Sequence, residues 1–287
     1  MSNKVAQSLW HKAWLRLLHN RMAVGSAIVL ILIALLCIVG PSLSEHPFDE
    51  IYWDNMGIPP DWSAGFWFGT DASGRDLFVR TLMGGRISLL VGLVSTTVSL
   101  LIGVLYGAAA GYLGGRTDAV MMRLVDVLYA LPFMFFVILL MVYFGRSIVL
   151  IFIAIGAVEW LTMARMVRGQ ALSLKERAFV QAARVSGVSH FGIIRRHIIP
   201  NTLGSVVVYA TLTVPQVILF ESFLSFLGLG VQEPLTSWGV LIAEGAAQVE
   251  TAPWMLLFPA SFLAITLFCL NFLGDGLRDA LDPKATA

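Results

Sequence analysis

The chain has 287 residues, 57% of them hydrophobic and 13% charged, with a mean hydropathy of +0.81. A soluble domain of this length cannot bury that much apolar surface, so the composition excludes an ordinary globular fold and fits a polytopic membrane protein. The net charge of +1 gives no case for nucleic-acid binding, and Cys37 and Cys269, both inside apolar runs, suggest no disulfide framework.

A hydrocarbon layer about 30 Å thick needs roughly 20 residues of helix. Six segments meet that length. After a basic N-terminal segment, residues 1–21, the first is Met22–Leu43, too long for a signal peptide and without an Ala-x-Ala site, hence a retained anchor. The others are Ile87–Leu113, Val120–Phe144, Ser147–Met163, Leu203–Leu229 and Trp254–Leu273. With the N-terminus inside, inner segments hold 15 of the 19 Lys and Arg, leaving Arg75, Arg80, Arg86 and Arg146 outside with an acidic excess. The positive-inside rule then places both termini in the cytoplasm.

The loop at residues 44–86 is rich in Pro, Trp, Gly and acids. It contains Phe68-Gly69-Thr70-Asp71-Ala72-Ser73-Gly74-Arg75-Asp76. Here Thr, Asp and Ser offer cap and turn chemistry, Gly74 a tight bend, and Asp71–Arg75 or Asp76–Arg80 an ion pair. Bracing of the outer face is the simpler reading, and contact with a ligand stays open. In the second span Gly103, Gly107, Gly111 and Gly115 recur every four residues. Such a stripe lets helices pack backbone to backbone, here against an unspecified chain.

Ionisable residues inside spans are costly and therefore informative, at about 3 kcal/mol on insertion scales. Arg123 and Asp126 are spaced to pair with each other. Glu159 is deeper and can reach Arg165 or a water-filled path. Glu221 has no nearby base, so a helix–helix hydrogen bond and a pathway role are both open. Pro132, Pro215 and Pro259 fall mid-span and allow bends.

The segment between the fourth and fifth long spans is soluble in character. Ser173-Leu174-Lys175-Glu176 reads as a capping box that starts a helix near Ser173 and runs to about Val185, where Gly187 supplies a left-handed stop. Ser189 then caps a second short helix, and Pro200 breaks the chain before the next apolar run. Ala178, Ala182 and Ala183 present only methyl groups among Lys175, Arg177, Arg184, Arg195 and Arg196, leaving room for another protein's backbone. An ordinary basic loop held inside by charge is the plainer alternative. No phosphate-binding loop, His-Glu-x-x-His or metal-spaced Cys/His cluster occurs, so neither a catalytic nor a metal site, and no cofactor, is expected.

The spacing of Gln181-Ala182-Ala183, Gly187 and Pro200 resembles the EAA loop of ATP-binding-cassette importer permeases, with Gln181 where the family usually has Glu. Phe68–Asp76 resembles the FGTDxxGRD segment of peptide-permease C subunits. Gly111-Tyr112-Leu113-Gly114-Gly115, Pro132–Phe136, Ser225–Gly230, Ser237-Trp238-Gly239 and the tail Gly274–Pro283 extend the likeness over nearly the whole chain. The chain is thus similar to the oligopeptide ABC transporter permease C-subunit family. That resemblance implies an all-α membrane protein with the type I ABC importer permease fold, organised as an anchor at 22–43, a periplasmic loop at 44–86, a permease core at 87–279 with its loop at about 166–201, and a tail at 280–287. It further implies a bacterial inner-membrane heterodimer with a homologous B permease, two cytoplasmic ATPases that hydrolyse the ATP, and a periplasmic peptide-binding protein. Dipeptide, nickel and antimicrobial-peptide systems share these motifs. An autonomous carrier using Asp126, Glu159 and Glu221 as a proton relay is the rival from another class, disfavoured by the lack of detectable inverted repeats and by a loop suited to docking.

Overall fold

The structure, a computed structural model, describes residues 9–145 and 147–281; Arg146 and the tail from Asp282, including Lys284, lie outside the described residues. Among the described residues the chain is helical, with only two isolated bridges, Asp61 to Phe66 and Thr70 to Asp76. In order the helices are α1 (Leu9–His19), α2 (Arg21–Val39), α3 (Leu77–Leu113), α4 (Gly115–Ala130), α5 (Phe133–Phe144), α6 (Ile148–Leu174), α7 (Ala178–Val185), α8 (His190–Ile193), α9 (Ile199–Phe226), α10 (Trp238–Ala247) and α11 (Trp254–Leu281). Five stretches, Arg21–Ser42, Leu77–Leu113, Val149–Leu174, His190–Phe226 and Trp254–Leu281, are long and apolar enough to cross a membrane.

The sixth predicted span is divided. At Leu131-Pro132 the chain turns by 81° between α4 and α5. Pro132 cannot donate to a helical carbonyl, and its ring drives Leu131 to an extended conformation with ψ of 130°. Pro215 and Pro259, in contrast, lie inside α9 and α11, which run on through them.

Helix ends also depart from the apolar runs. Within the basic N-terminal segment, Leu9–His19 form the amphipathic α1, whose Ala13 and Leu17 pack on Ala23 and Ala280. Asn20 caps α2 by accepting from the Ala23 amide. Arg86 satisfies the far end, donating to the carbonyls of Cys37 at 2.5 Å and Ile38 at 2.7 Å, where a cation also meets the negative helix terminus. Helix α3 begins ten residues before the predicted span because Asp76 caps it, accepting from Phe78 and Val79.

The central pair is α3 and α6, and glycine makes their approach close. A Cβ at Gly107 would collide with the Ala164 carbonyl oxygen, one at Gly111 would lie 2.6 Å from the Arg168 oxygen, and one at Gly103 would lie 2.6 Å from the Met163 Cβ. These three glycines therefore face α6 of the same chain. Gly115 departs from the stripe: it opens α4 with a φ of +57° and has nothing near its missing Cβ. Arg168 then ties α6 to α4 by a bidentate pair with Asp118, at 2.6 and 2.7 Å.

Helix α10 has no counterpart among the predicted spans. Its ten residues are too short to cross a bilayer but lie between α9 and α11, where Gly239 sits against the Ser222 backbone and Gly245 against Met255. The fully buried Trp238 donates from Nε1 to the Thr81 carbonyl at 2.9 Å, locking α10 to α3.

The 44–76 segment is ordered by its own polar groups. Asp71 accepts from the Ser73 and Arg75 amides and pairs with Arg75 at 2.9 Å and with Arg80. Arg80 is also paired with Glu244 of α10, at 3.0 Å. Arg80 thus joins Asp71, and the expected Asp76–Arg80 pair does not form because Asp76 is committed to the α3 cap and to the Ser44 hydroxyl at 2.8 Å. Burial pushes the Asp76 carboxyl above the ordinary range, while hydrogen bonds from Ser63 hold the exposed Asp61 carboxyl below it.

Candidate coupling loop and intramembrane cavity

The link between α6 and α9 differs from the capping-box expectation. Helix α6 runs through Ser173 to Leu174, and α7 starts only at Ala178, with Arg177 rather than Ser173 at its N-cap. The Ser173 side chain is exposed instead of capping. Across the break, Gln181 Nε2 donates to the Lys175 carbonyl at 3.0 Å. An amide can make that bond, whereas a carboxylate, which only accepts, cannot.

The stop at Gly187 follows its local chemistry. Gly187 has a φ of +78°, and Val188 donates back to the Ala183 carbonyl at 3.1 Å, as in a left-handed helix end. Ser189 caps α8 by accepting from Gly192. Pro200 does not break the chain: it occupies the first turn of α9, where its missing amide costs little, and a π-helical turn at Ile194–Ile198 leads into it.

The two alanines of the loop part company. Ala182 is exposed, but Ala183 is buried in a core with Val180, Ile193 and Ile198 that also contains Val104, Ala108 and Tyr112 of α3 and Val167 and Ala171 of α6. Outward-facing apolar groups instead include Phe179, Val185 and Phe191, the last two 88% and 71% exposed. They were missed because single apolar residues among basic ones give no periodic signal. His190 Nδ1 lies 3.2 Å from the buried Tyr112 hydroxyl, and Arg184 stands over the Tyr112 ring at 5.6 Å. The loop is therefore packed on α3, α6 and α9.

Deeper in the bundle, Tyr129, Glu159, Thr162, Tyr209, Gln216 and Phe220 border a cavity of about 460 Å³ between α4, α6 and α9. Glu159 is only 8% exposed and takes part in no side-chain hydrogen bond or ion pair among the described residues. Arg165 does not reach it. Arg165 pairs with Asp126 at 2.8 Å and stands 4.3 Å from the centre of the Tyr129 ring, so the expected Arg123–Asp126 pair gives way to one between helices.

Glu221 lies elsewhere, fully buried where α3, α9 and the start of α10 meet. Ser88 donates to it at 3.1 Å and Ser225 at 2.7 Å, while the Ser88 hydroxyl also accepts from the Trp238 amide at 3.2 Å. The hydroxyls join three helices through one carboxyl, which is a bracing geometry and does not border the cavity.

Residues 99–287 match the family described as "Binding-protein-dependent transport system inner membrane component", and residues 8–60 match "N-terminal TM domain of oligopeptide transport permease C". The chain belongs to that first family. Similar proteins include "Oligopeptide transport system permease protein OppC" of Escherichia coli (strain K12), 61% identical over 97% of this chain and 92% of that protein. The Haemophilus influenzae protein of the same name is 58% identical over 97% of this chain and 89% of its own length. "Dipeptide transport system permease protein DppC" of Bacillus subtilis is 47% identical over 95% and 85%. Family and apolar helices together make this a multi-pass inner-membrane component of a transport system, and the relatives are named as permease proteins.

Proposed function

We propose that the chain is the C-type permease subunit of an ATP-driven importer that carries oligopeptides inward across the bilayer. The observation that carries this reading is near full-length similarity to relatives named as oligopeptide permeases, extending through both the N-terminal segment and the transport domain. A homologous B permease completes the pathway, two cytoplasmic ATPases supply the energy, and a periplasmic peptide-binding protein delivers the substrate. The division into a retained anchor at 22–43, an outer loop at 44–86 and a permease core at 87–279 belongs to this proposal, while the helices themselves have other limits, α2 ending at Val39 and α3 starting at Leu77.

Both termini and the loop at about 166–201 face the cytoplasm in this reading, supported by the excess of Lys and Arg in those segments. The ATPases dock on Gln181–Pro200, with Ala182, Phe179, Val185 and Phe191 as the exposed apolar contacts. Gln181, Ala183 and Gly187 then shape that surface from within. Movement of the ATPases is passed through Val180, Ala183 and Ile193 to α3, α6 and α9, because packed cores transmit displacement with little compression.

A dipeptide substrate is the second reading, favoured only by the similarity to the dipeptide permease. Reconstitution with the B permease, ATPases and binding protein tests both: uptake of labelled tri- to pentapeptides that requires ATP and survives collapse of the proton gradient is expected. Uptake driven by a proton gradient without ATP would replace this reading with an autonomous carrier.

A further inference from the structure

We infer that the cavity bordered by Glu159 is a station for the free amino terminus of the passing peptide, with Glu159 as its charge partner; this rests on the peptide-transport reading. Glu159 is 92% removed from solvent, yet the carboxyl has no hydrogen-bond or ion-pair partner among the described residues, and the cation nearest in the chain order, Arg165, is engaged by Asp126. A buried acid with neither base nor donor is a costly group that a cationic ligand would satisfy.

The walls suit one chemical class. Tyr209 brings an aromatic ring and a hydroxyl, Thr162 and Gln216 bring further polar groups, and Tyr129 lines the border with its ring already carrying the Arg165 guanidinium, whose charge Asp126 balances. An unpaired carboxylate in a cavity lined by an aromatic ring and hydroxyls receives an ammonium, whereas the carboxy-terminal end of a peptide would be repelled. The volume of about 460 Å³ lies within the roughly 300–1,000 Å³ of ligand pockets, enough for one end of an oligopeptide and not its whole length. An ammonium also occurs on some lipid headgroups. Glu159 lies ten residues into the apolar stretch that begins at Val149, or ~15 Å at 1.5 Å per residue, near the middle of a ~30 Å core and far from headgroups.

The test uses the assembled transporter in vesicles of phosphatidylcholine and phosphatidylglycerol, which supply no primary ammonium. A reporter cysteine replaces Leu219, at the cavity border, and the peptides Cys-Ala-Ala and Ala-Ala-Cys are offered with ATP before brief oxidation. Uptake of each peptide is measured in parallel. Cross-linking to the amino-terminal cysteine is expected to exceed that to the carboxy-terminal one by about tenfold, the size of one charge-assisted hydrogen bond. Glu159→Gln should bring the two yields to parity, and Glu159→Asp should retain the preference. Equal yields in the Glu159 protein, or a preference that survives Glu159→Gln, would overturn the inference while uptake leaves the transport reading intact. Should Glu159→Gln not assemble, the comparison of the two peptides in the Glu159 protein decides. Absence of uptake of either peptide by the wild-type transporter would instead sink the transport reading and this inference with it.

Discussion

The Gln181 amide donates to the Lys175 carbonyl at 3.0 Å, joining the first turn of α7 to the C-cap of α6. This bond fixes the angle at which the loop leaves the bundle. Replacing Gln181 by Ala removes a bond worth about 0.5–1.5 kcal/mol. Replacing it by Glu removes the donor and also brings an anion to a helix C-terminus, so it is expected to loosen the link at least as much. Hydrogen exchange of residues 175–181 in the purified complex checks this. Protection in Gln181→Glu equal to or above that of the parent would show that the bond is not what holds the link.

Arg80 is 1% exposed and Asp71 2%, so their pair cannot lose one member without stranding the other. Arg80→Ala should cost about 3–5 kcal/mol through the uncompensated buried carboxylate, with Arg75 offsetting part of it. Glu244→Gln should cost well under half as much, because that side chain is 32% exposed and water replaces its contact. Thermal unfolding of the detergent-purified permease pair provides the ranking. A Glu244→Gln variant less stable than Arg80→Ala would show that α10 rather than Asp71 is the important partner of Arg80.

The glycine stripe yields a contrast within one motif. Gly107→Leu places a side chain against the Ala164 carbonyl, a backbone group that cannot move aside, and should abolish stable α3–α6 packing. At Gly115 there is space but a φ of +57°, so Gly115→Asn, which tolerates that conformation, should assemble normally. Yields and melting of the two purified variants settle it. Normal melting of Gly107→Leu would mean that the helices do not approach as described.

Local chemistry explains which features could be read from the chain. The apolar runs marked six spans, five of them single long helices and the sixth the bent pair α4–α5; the Gly187 stop follows from a residue free to adopt positive φ, and the Ser189 cap needs only the amides that follow it. Features decided by distant residues could not be read in this way. Asp126 turns from Arg123 to Arg165 because α4 packs beside α6, and Ser173 loses its capping role because α6 continues through it. Helix α10 is too short for a span signal and is held by contacts from α3, α9 and α11. Glu159 was visible as an acid in an apolar run; the cavity it borders required the fold.

Membrane orientation is the broadest expectation. In a background lacking Cys37 and Cys269, cysteines at Asp61 and Gln248 should react with an impermeant thiol reagent in intact cells, and one at Ser173 should react only after permeabilisation. Ser173 and Gln248 are exposed and Asp61 is half-buried, so none of the three is shut off from the reagent by burial and the outcome reports sidedness. Reaction at Ser173 in intact cells would invert the proposed topology.

The last expectation separates docking from folding in the loop. Ala182 is exposed on α7, whereas its neighbour Ala183 is 9% exposed in the core that joins the loop to α3 and α6. Ala182→Trp should therefore leave the permease folded and paired with its partner, yet hold the ATPases away, reducing their co-purification, uptake and ATP hydrolysis stimulated by the loaded binding protein. Ala183→Trp should instead disturb the permease itself, since overpacking a filled core costs about 1–3 kcal/mol or more. Gly187→Val acts by a third route: at a φ of +78° a β-branched residue adds about 1–2 kcal/mol of strain and re-aims α8, with the Tyr112–His190 contact loosened. Permease melting, co-purification of the ATPases and stimulated hydrolysis are measured for all three. If Ala182→Trp matches the parent in all of them, the ATPases do not dock on the exposed face of α7 and the coupling role proposed for this loop is wrong.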